Sequence, residues 1–118
     1  MKVAIAVDKN KCSDHFGHCE GFKIYDIVDK KITNEEFISN PGHKPGFLPM
    51  YLSGRGVNVI ISSGMGSAAQ DLFKKENIDV IVGCQGSLEK IIEDYINGNL
   101  VSDQSICDKH NFDGNCNE

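Results

Sequence analysis

The sequence has no cluster of basic residues and no long apolar run. Lysine and arginine number 12 against 17 aspartates and glutamates, a formal net charge of −5. With the positive charges scattered, this argues against a nucleic-acid partner. No apolar run approaches the roughly 20 residues of a membrane helix. Met1-Lys2-Val3 passes straight into an apolar stretch without the shape of a signal peptide. The expectation is a cytoplasmic protein that does not enter a membrane. None of the five cysteines forms a Cys-x2-Cys pair, so the usual thiol-redox motif is missing. The Gly-Lys-Ser/Thr ending of a phosphate loop is missing as well. No repeat is visible beyond a strand–Gly-x-Gly-Ser–helix shape that recurs in the last two units, and no segment is of low complexity.

What is present suits one soluble α/β domain. The chain has 118 residues, 40% hydrophobic and 25% charged, enough for one core and too few for two. We expect a single domain over residues 1–98 and a polar tail, 99–118, that contains Cys and His. In a cytosolic chain, five cysteines point to thiols or metal ligands rather than to structural disulfides.

One stretch concentrates the chemistry. Cys12-Ser13-Asp14-His15-Phe16-Gly17-His18-Cys19 holds two of the five cysteines and two of the four histidines. Thiolate and imidazole are the ligands of soft and borderline transition metals. The stretch follows Val3-Ala4-Ile5-Ala6-Val7, which reads as a buried strand. Spacing alone leaves two readings open, a metal site or a solvated loop.

The rest of the chain punctuates clearly. A first strand over Lys2–Val7 is followed by a loop, Asp8–Gly21. Phe22–Val28 is rich in β-branched and aromatic residues and predicts a second strand. Asp29-Lys30 fits a hairpin turn into a third, Lys31–Ile38. Asn40 to Gly46 breaks the pattern with two prolines and two glycines. Leu48, Tyr51 and Leu52 have helical spacing, and Gly54 to Gly56 ends that helix. Val57–Ser62 predicts strand four. Ser67 is placed to cap a helix with Ala68, Ala69, Leu72 and Phe73 on its apolar side. Asp79–Gly83 predicts strand five. Ser87 is placed to cap a third helix with Leu88, Ile91, Ile92, Tyr95 and Ile96 on one face, closed by Asn97-Gly98.

The order β-β-β-α-β-α-β-α predicts a mixed five-stranded sheet of order 3-2-1-4-5, with helices packed on it. Strands one, four and five run parallel. Their carboxyl ends share a rim with the loops Asp8–Gly21, Ser39–Gly46, Ser63–Ser67 and Gly83–Ser87. Ligands of open α/β sheets bind at such a rim, where the strand order reverses. The order thus collects Cys12, His15, His18, Cys19, His43, Met65 and Cys84 around one cavity. It also brings the N-termini at Ser67 and Ser87 there, each after a glycine-containing turn. Open N–H groups at helix N-termini favour an anion, a phosphate or an anionic metal–sulfur cluster. Glycines that merely permit tight turns are the plain alternative. In the tail, Cys107, His110 and Cys116 form a second metal-type spacing, Cys-x2-His-x5-Cys, and a solvated polar tail is its alternative.

Three motifs in order resemble those of the dinitrogenase iron–molybdenum cofactor biosynthesis family. They are Ser13-x-His15-Phe16-Gly17, then Val57-Asn58-Val59-Ile60-Ile61 leading to Gly64-Met65-Gly66-Ser67-Ala68-Ala69, then Gly83-Cys84-Gln85-Gly86-Ser87. The resemblance spans roughly Met1 to Leu100. It implies a ribonuclease-H-like α/β motif, and binding, carriage or delivery of an iron–sulfur or molybdenum–iron–sulfur cluster or its precursor, without catalysis. It also implies cluster donor or acceptor proteins as partners. Ser13, His15, Phe16, Gly17, Gly64, Gly66 and Gly86 carry over by position. Of these, His15 is the ligand type, and Phe16 reads as a core plug. Cys12, Cys19 and Cys84 lie outside the shared pattern. A single transition metal ion is the simpler alternative cargo.

Other functions fit less of the sequence. Gly64-x-Gly66-x-x-Ala69 formally meets a dinucleotide fingerprint, but strand five ends in Cys84-Gln85 without the ribose-binding acid. A nuclease needs several carboxylates around its metal ions, and only Asp8 and Asp14 lie near a strand end. An interaction or scaffold module without a metal is the strongest rival. The sequence leaves the oligomeric state open.

Overall fold

In the computed structural model, the described residues are 1–13, 16, 19–42 and 47–98. The elements run β1 (Lys2–Asp8), β2 (Lys11–Cys12), β3 (Gly21–Val28), β4 (Lys31–Ser39), α1 (Phe47–Gly54), β5 (Val59–Ile61), α2 (Ser67–Lys75), β6 (Asp79–Ile81) and α3 (Leu88–Ile96). The main path of the sheet is β4-β3-β1-β5-β6. β1 pairs antiparallel with β3 and parallel with β5, and β5 pairs parallel with β6. The expected order and directions therefore hold. No helix of the described residues is long and apolar enough to cross a membrane.

The expected strand count does not hold. Among the described residues the sheet has six strands, not five, because β2 folds back on β1 with Val7 opposite Cys12 and Asp8 opposite Lys11. The stretch expected to be an open loop begins as a tight hairpin. Lys9 and Asn10 take φ of 51° and 67°, the left-handed pair that a two-residue primed turn requires. Asn tolerates that conformation. Lys is not one of its usual signals, and that hid the turn. Asp29 and Lys30 repeat the geometry, with φ of 53° and 63°, between β3 and β4, where a turn is expected. Strands four and five are also shorter than expected, at Val59–Ile61 and Asp79–Ile81.

β1 is apolar from Val3 to Val7, where both its faces are covered. Ala4 and Ala6 lie in a core with Phe22, Ile24, Ile60, Leu48 and Leu52 of α1, and Phe73 of α2. Val3, Ile5 and Val7 lie in a second core with Tyr25, Ile27, Val59, Ile61 and Leu88, Ile91 and Ile92 of α3. So α1 and α2 cover one face and α3 the other. β4 is an edge strand, mostly exposed.

Gly21, paired with Ser39 of β4, has no room for a side chain. A Cβ there would run into the Ile38 carbonyl oxygen and the ring of Phe37. The Phe37 ring, on the neighbouring edge strand, lies against the glycine across the strand pair. Gly21→Ala is expected to destabilise the fold by about 1–3 kcal/mol through overpacking against backbone. A urea melt checks this, and an unchanged midpoint would show that β4 yields at no cost.

Candidate ligand-binding rim

The end of β1 is where the chain's loops are tied together. Ser13 is buried, and its N–H donates to the Ala6 carbonyl at 2.8 Å. Its own carbonyl accepts from the Ser63 N–H at 2.8 Å and from the Ser62 hydroxyl at 3.1 Å. Its hydroxyl donates to Asp8 Oδ2 at 2.6 Å. The other Asp8 oxygen accepts from the Glu20 N–H at 2.9 Å. Asp8 thus clasps the loop at both ends, before residue 14 and after Cys19.

The same loop is stitched to the starts of α2 and α3. Phe16 N–H donates to the Gly64 carbonyl at 3.2 Å, and Cys12 N–H to the Gly86 carbonyl at 3.1 Å. Lys11 and Ser87 form an isolated antiparallel bridge. Gly83 N–H donates to the Ser63 carbonyl at 3.0 Å. Asn40 joins from the end of β4, its side-chain amide donating to the Cys19 carbonyl at 2.9 Å and its N–H to Glu20 at 2.9 Å. The four loops expected at one rim therefore meet there.

The two helix starts differ from each other. Ser87 caps α3 as expected, its hydroxyl accepting from Lys90 N–H at 3.4 Å. Ser67 does not cap α2. It is the first helical residue, and Gly66 holds the cap position without a side-chain bond. The cap conformation is extended, and it is Gly66 rather than Ser67 that adopts it, with φ −65° and ψ 154°. Any residue can adopt those angles, so tight turning does not explain Gly66. Its lack of a side chain leaves the start of α2 uncovered. Gly83 and Gly86, with φ of 87° and 109°, do need to be glycine for their backbone shape.

The expected sulfur ligands are divided between the two cores. Cys19 is buried with Phe16, Phe22 and Met65 on the face of α1 and α2. Cys12 and Cys84 are buried on the face of α3. Burial, and then the negative charge of Asp8, push the Cys19 thiol up to about 11 from an ordinary 9.0. Burial, and then Asp94, push Cys84 up to about 11. In this state both are neutral thiols, not ready-made thiolates. Among the described residues, no three His, Cys, Asp or Glu side chains are grouped to hold a metal ion. His15, His18, His43 and Gly17 lie outside the described residues, as do Cys107, His110 and Cys116.

The raised thiols have a pH consequence. Below pH 9 they are protonated in both folded and unfolded chains. Between about pH 9 and 11 the unfolded chain releases protons that the folded one retains, so stability falls as pH rises through that window. The fall in urea midpoint is expected to be smaller in Cys84→Ala. Alkylation of the folded protein near pH 8 should be about a hundredfold slower than that of an ordinary thiol, given a two-unit rise. Rapid labelling of Cys84 would contradict its burial.

Sequence reasoning weighed Asp8 only as a nuclease carboxylate and gave Ser62 and Asn40 no part in the site. None is a ligand type in an obvious motif. Asp8, directly after an apolar strand and five residues before a motif serine, is the one with a readable signal.

The chain is a small α/β domain with its loops gathered at the carboxyl ends of parallel strands. The family model described as dinitrogenase iron-molybdenum cofactor matches residues 1–98, and the chain belongs to that family. An uncharacterized protein of Methanocaldococcus jannaschii, MJ0580, is 36% identical over 105 residues, covering 85% of this chain and 89% of its own. The crystal structure of PH0822 is similar with a TM-score of 0.81 at 29% identity, over 87% of this chain and 95% of that one. A second Methanocaldococcus jannaschii protein, MJ0327, provisionally described as a dinitrogenase, is similar with a TM-score of 0.71 at 28% identity, over 85% and 91% of the two chains.

Proposed function

We propose that this chain binds and carries an iron–sulfur or molybdenum–iron–sulfur cluster or its precursor as cargo, without a catalytic step. In this reading it works in the cytoplasm and exchanges the cargo with donor and acceptor proteins. The observation that carries the reading is the rim itself. The loop bearing the Ser-x-His-Phe-Gly motif is hydrogen-bonded to the turns that open α2 and α3. N–H groups at helix starts stabilise anionic clusters and reach their sulfurs. Family membership supports the choice of cargo.

In this reading, backbone N–H groups at Gly64, Gly66, Ser67, Gly86 and Ser87 and the residues at His15 and Gly17 form the cradle, with His15 as the protein ligand; Ser13, whose N–H and carbonyl are already bonded within the fold, positions the loop instead. His18 and His43 are further imidazole candidates. The buried thiols fit less well as primary ligands, since each must first lose a proton and its packing. Loose retention suits a carrier, which must release what it holds.

Anaerobic reconstitution with iron and sulfide tests this. His15→Ala is expected to lose most bound iron and sulfide, while a Cys12→Ser/Cys19→Ser double variant keeps most of it. Wild-type metal content and spectrum in His15→Ala would overturn the ligand assignment. A metal-free interaction module is the second reading, favoured by the burial of all three described thiols. It predicts that the wild-type protein itself takes up no stoichiometric metal.

A further inference from the structure

Beside α3 runs a groove of about 1290 Å³, floored by β3 and β4. Its apolar part is Phe37 and Ile32 of β4, 51% and 38% exposed, with Leu88, Ile92 and Ile96 of α3 on the other side. The rest of the lining is charged, and the charges do not balance. Lys23 is held by Glu35 at 3.3 Å, and Lys90 by Asp94 at 3.6 Å. Among the described residues, Glu89 and Glu93, one turn apart on α3, have no ion pair. Glu20 has none either, and accepts only from the Lys9 N–H. Against these three carboxylates stands Lys31, at the start of β4 and so at the opposite end of the groove from Glu89.

Tyr25 lies on the groove floor, between these walls. It is 3% exposed, and its hydroxyl makes no hydrogen bond among the described residues. A buried hydroxyl without a partner is costly. Burial, and then the charges of Glu35 and Glu89, push the phenol up to about 12 from an ordinary 10.0. It is therefore a neutral phenol in a negative field. A phenol oxygen flanked by two carboxylates suits an ammonium or guanidinium group, which donates to all three.

We propose that this groove docks a partner protein through a segment that carries an arginine or lysine between apolar residues. The cation donates to the Tyr25 hydroxyl and to the carboxylates of Glu35 and Glu89, and the apolar neighbours cover Phe37 and Ile32. Size selects a peptide, because the groove exceeds the ~300–1,000 Å³ of small-molecule sites. Charge selects a basic one. The unpaired carboxylates of the groove and the chain's net charge of −5 both attract it. The inference does not depend on any cargo at the rim.

The test is an NMR titration of the full metal-free chain with three probes. They are a blocked hexapeptide of alternating leucine and arginine, its leucine–glutamate counterpart, and arginine amide. The arginine peptide is expected to bind saturably, shift the amides of Glu35, Phe37 and Glu89, and weaken as salt is added. Tyr25→Phe keeps the ring and removes the hydroxyl. It is expected to melt no lower than the wild type and to bind about tenfold more weakly, the loss of one hydrogen bond to a charge. Glu89→Gln/Glu93→Gln is expected to weaken binding about fivefold. Absence of saturable shifts at the groove would overturn the proposal. So would equal affinity for the glutamate peptide, or unmoved affinity in both variants. Arginine amide binding as tightly as the arginine peptide would overturn the peptide occupant and leave a small-cation site. A dimer in sedimentation that Glu89→Gln/Glu93→Gln abolishes would overturn it too, and give the groove to a second copy.

Discussion

Phe16→Ala is expected to destabilise the protein by about 3–5 kcal/mol, the usual cost of emptying a buried aromatic site. Phe16 is 5% exposed. Its ring centroid lies 5.6 Å from that of Phe22 and 5.2 Å from that of Phe73, the latter edge-on. One side chain therefore joins the loop to β3 and to α2. Against a total stability of about 5–15 kcal/mol for a domain, the loss is large, and it shows as a lower urea midpoint with an unchanged slope. Phe16→Leu, which keeps most of the volume, should recover much of it. The rim should loosen with the core, because Phe16 N–H also holds the Gly64 carbonyl. A loss below about 1 kcal/mol would mean that the ring is not part of the core.

Asp8→Ala is expected to cost about 2–3 kcal/mol and to open the loop. Hydrogen bonds to a charged group are worth about 1.5–3 kcal/mol, and Asp8 accepts two, from Ser13 and Glu20. With the clasp gone, the amide protons of Glu20 and Ser13 should exchange faster while those of β5 hold. A second readout separates this from general loosening. The Asp8 charge contributes to raising the Cys19 thiol, after burial itself. In Asp8→Ala that thiol should titrate lower but stay above the ordinary range. Asp8→Asn, which removes the charge and keeps an oxygen, should give the same direction of thiol shift with a smaller loss of stability. An unmoved Cys19 thiol in both variants would contradict the electrostatic contact.

Much of the sheet was legible because local pattern and global topology agree here. The continuous apolar run of Val3–Val7 marks a strand buried on both faces, and it proves central. Ser87 and Asn97-Gly98 punctuate α3 where the capping chemistry predicts. Phe16 reads as a core plug and is one. The misses are physical too. A two-residue hairpin at Lys9-Asn10 leaves no periodicity to detect. The α2 cap fell to Gly66 because the residue before the helix took the extended conformation, which the sequence marks only weakly beside Ser67.

The sequence by itself determined the strand order, the parallel core and the gathering of four loops at one rim. Hydrophobic runs, turn residues and right-handed crossovers leave few other arrangements. It could not determine which way each rim side chain points, because neighbours along a loop do not share a face by any fixed period. Only the tertiary structure decided that Cys19 packs with α1 and α2 while Cys12 and Cys84 pack beneath α3. Only it showed Asp8 closing the loop on both sides. Residues close in sequence were parted by the sheet between them, and residues far apart were joined across its end, where unpaired backbone groups of several strands had to find partners.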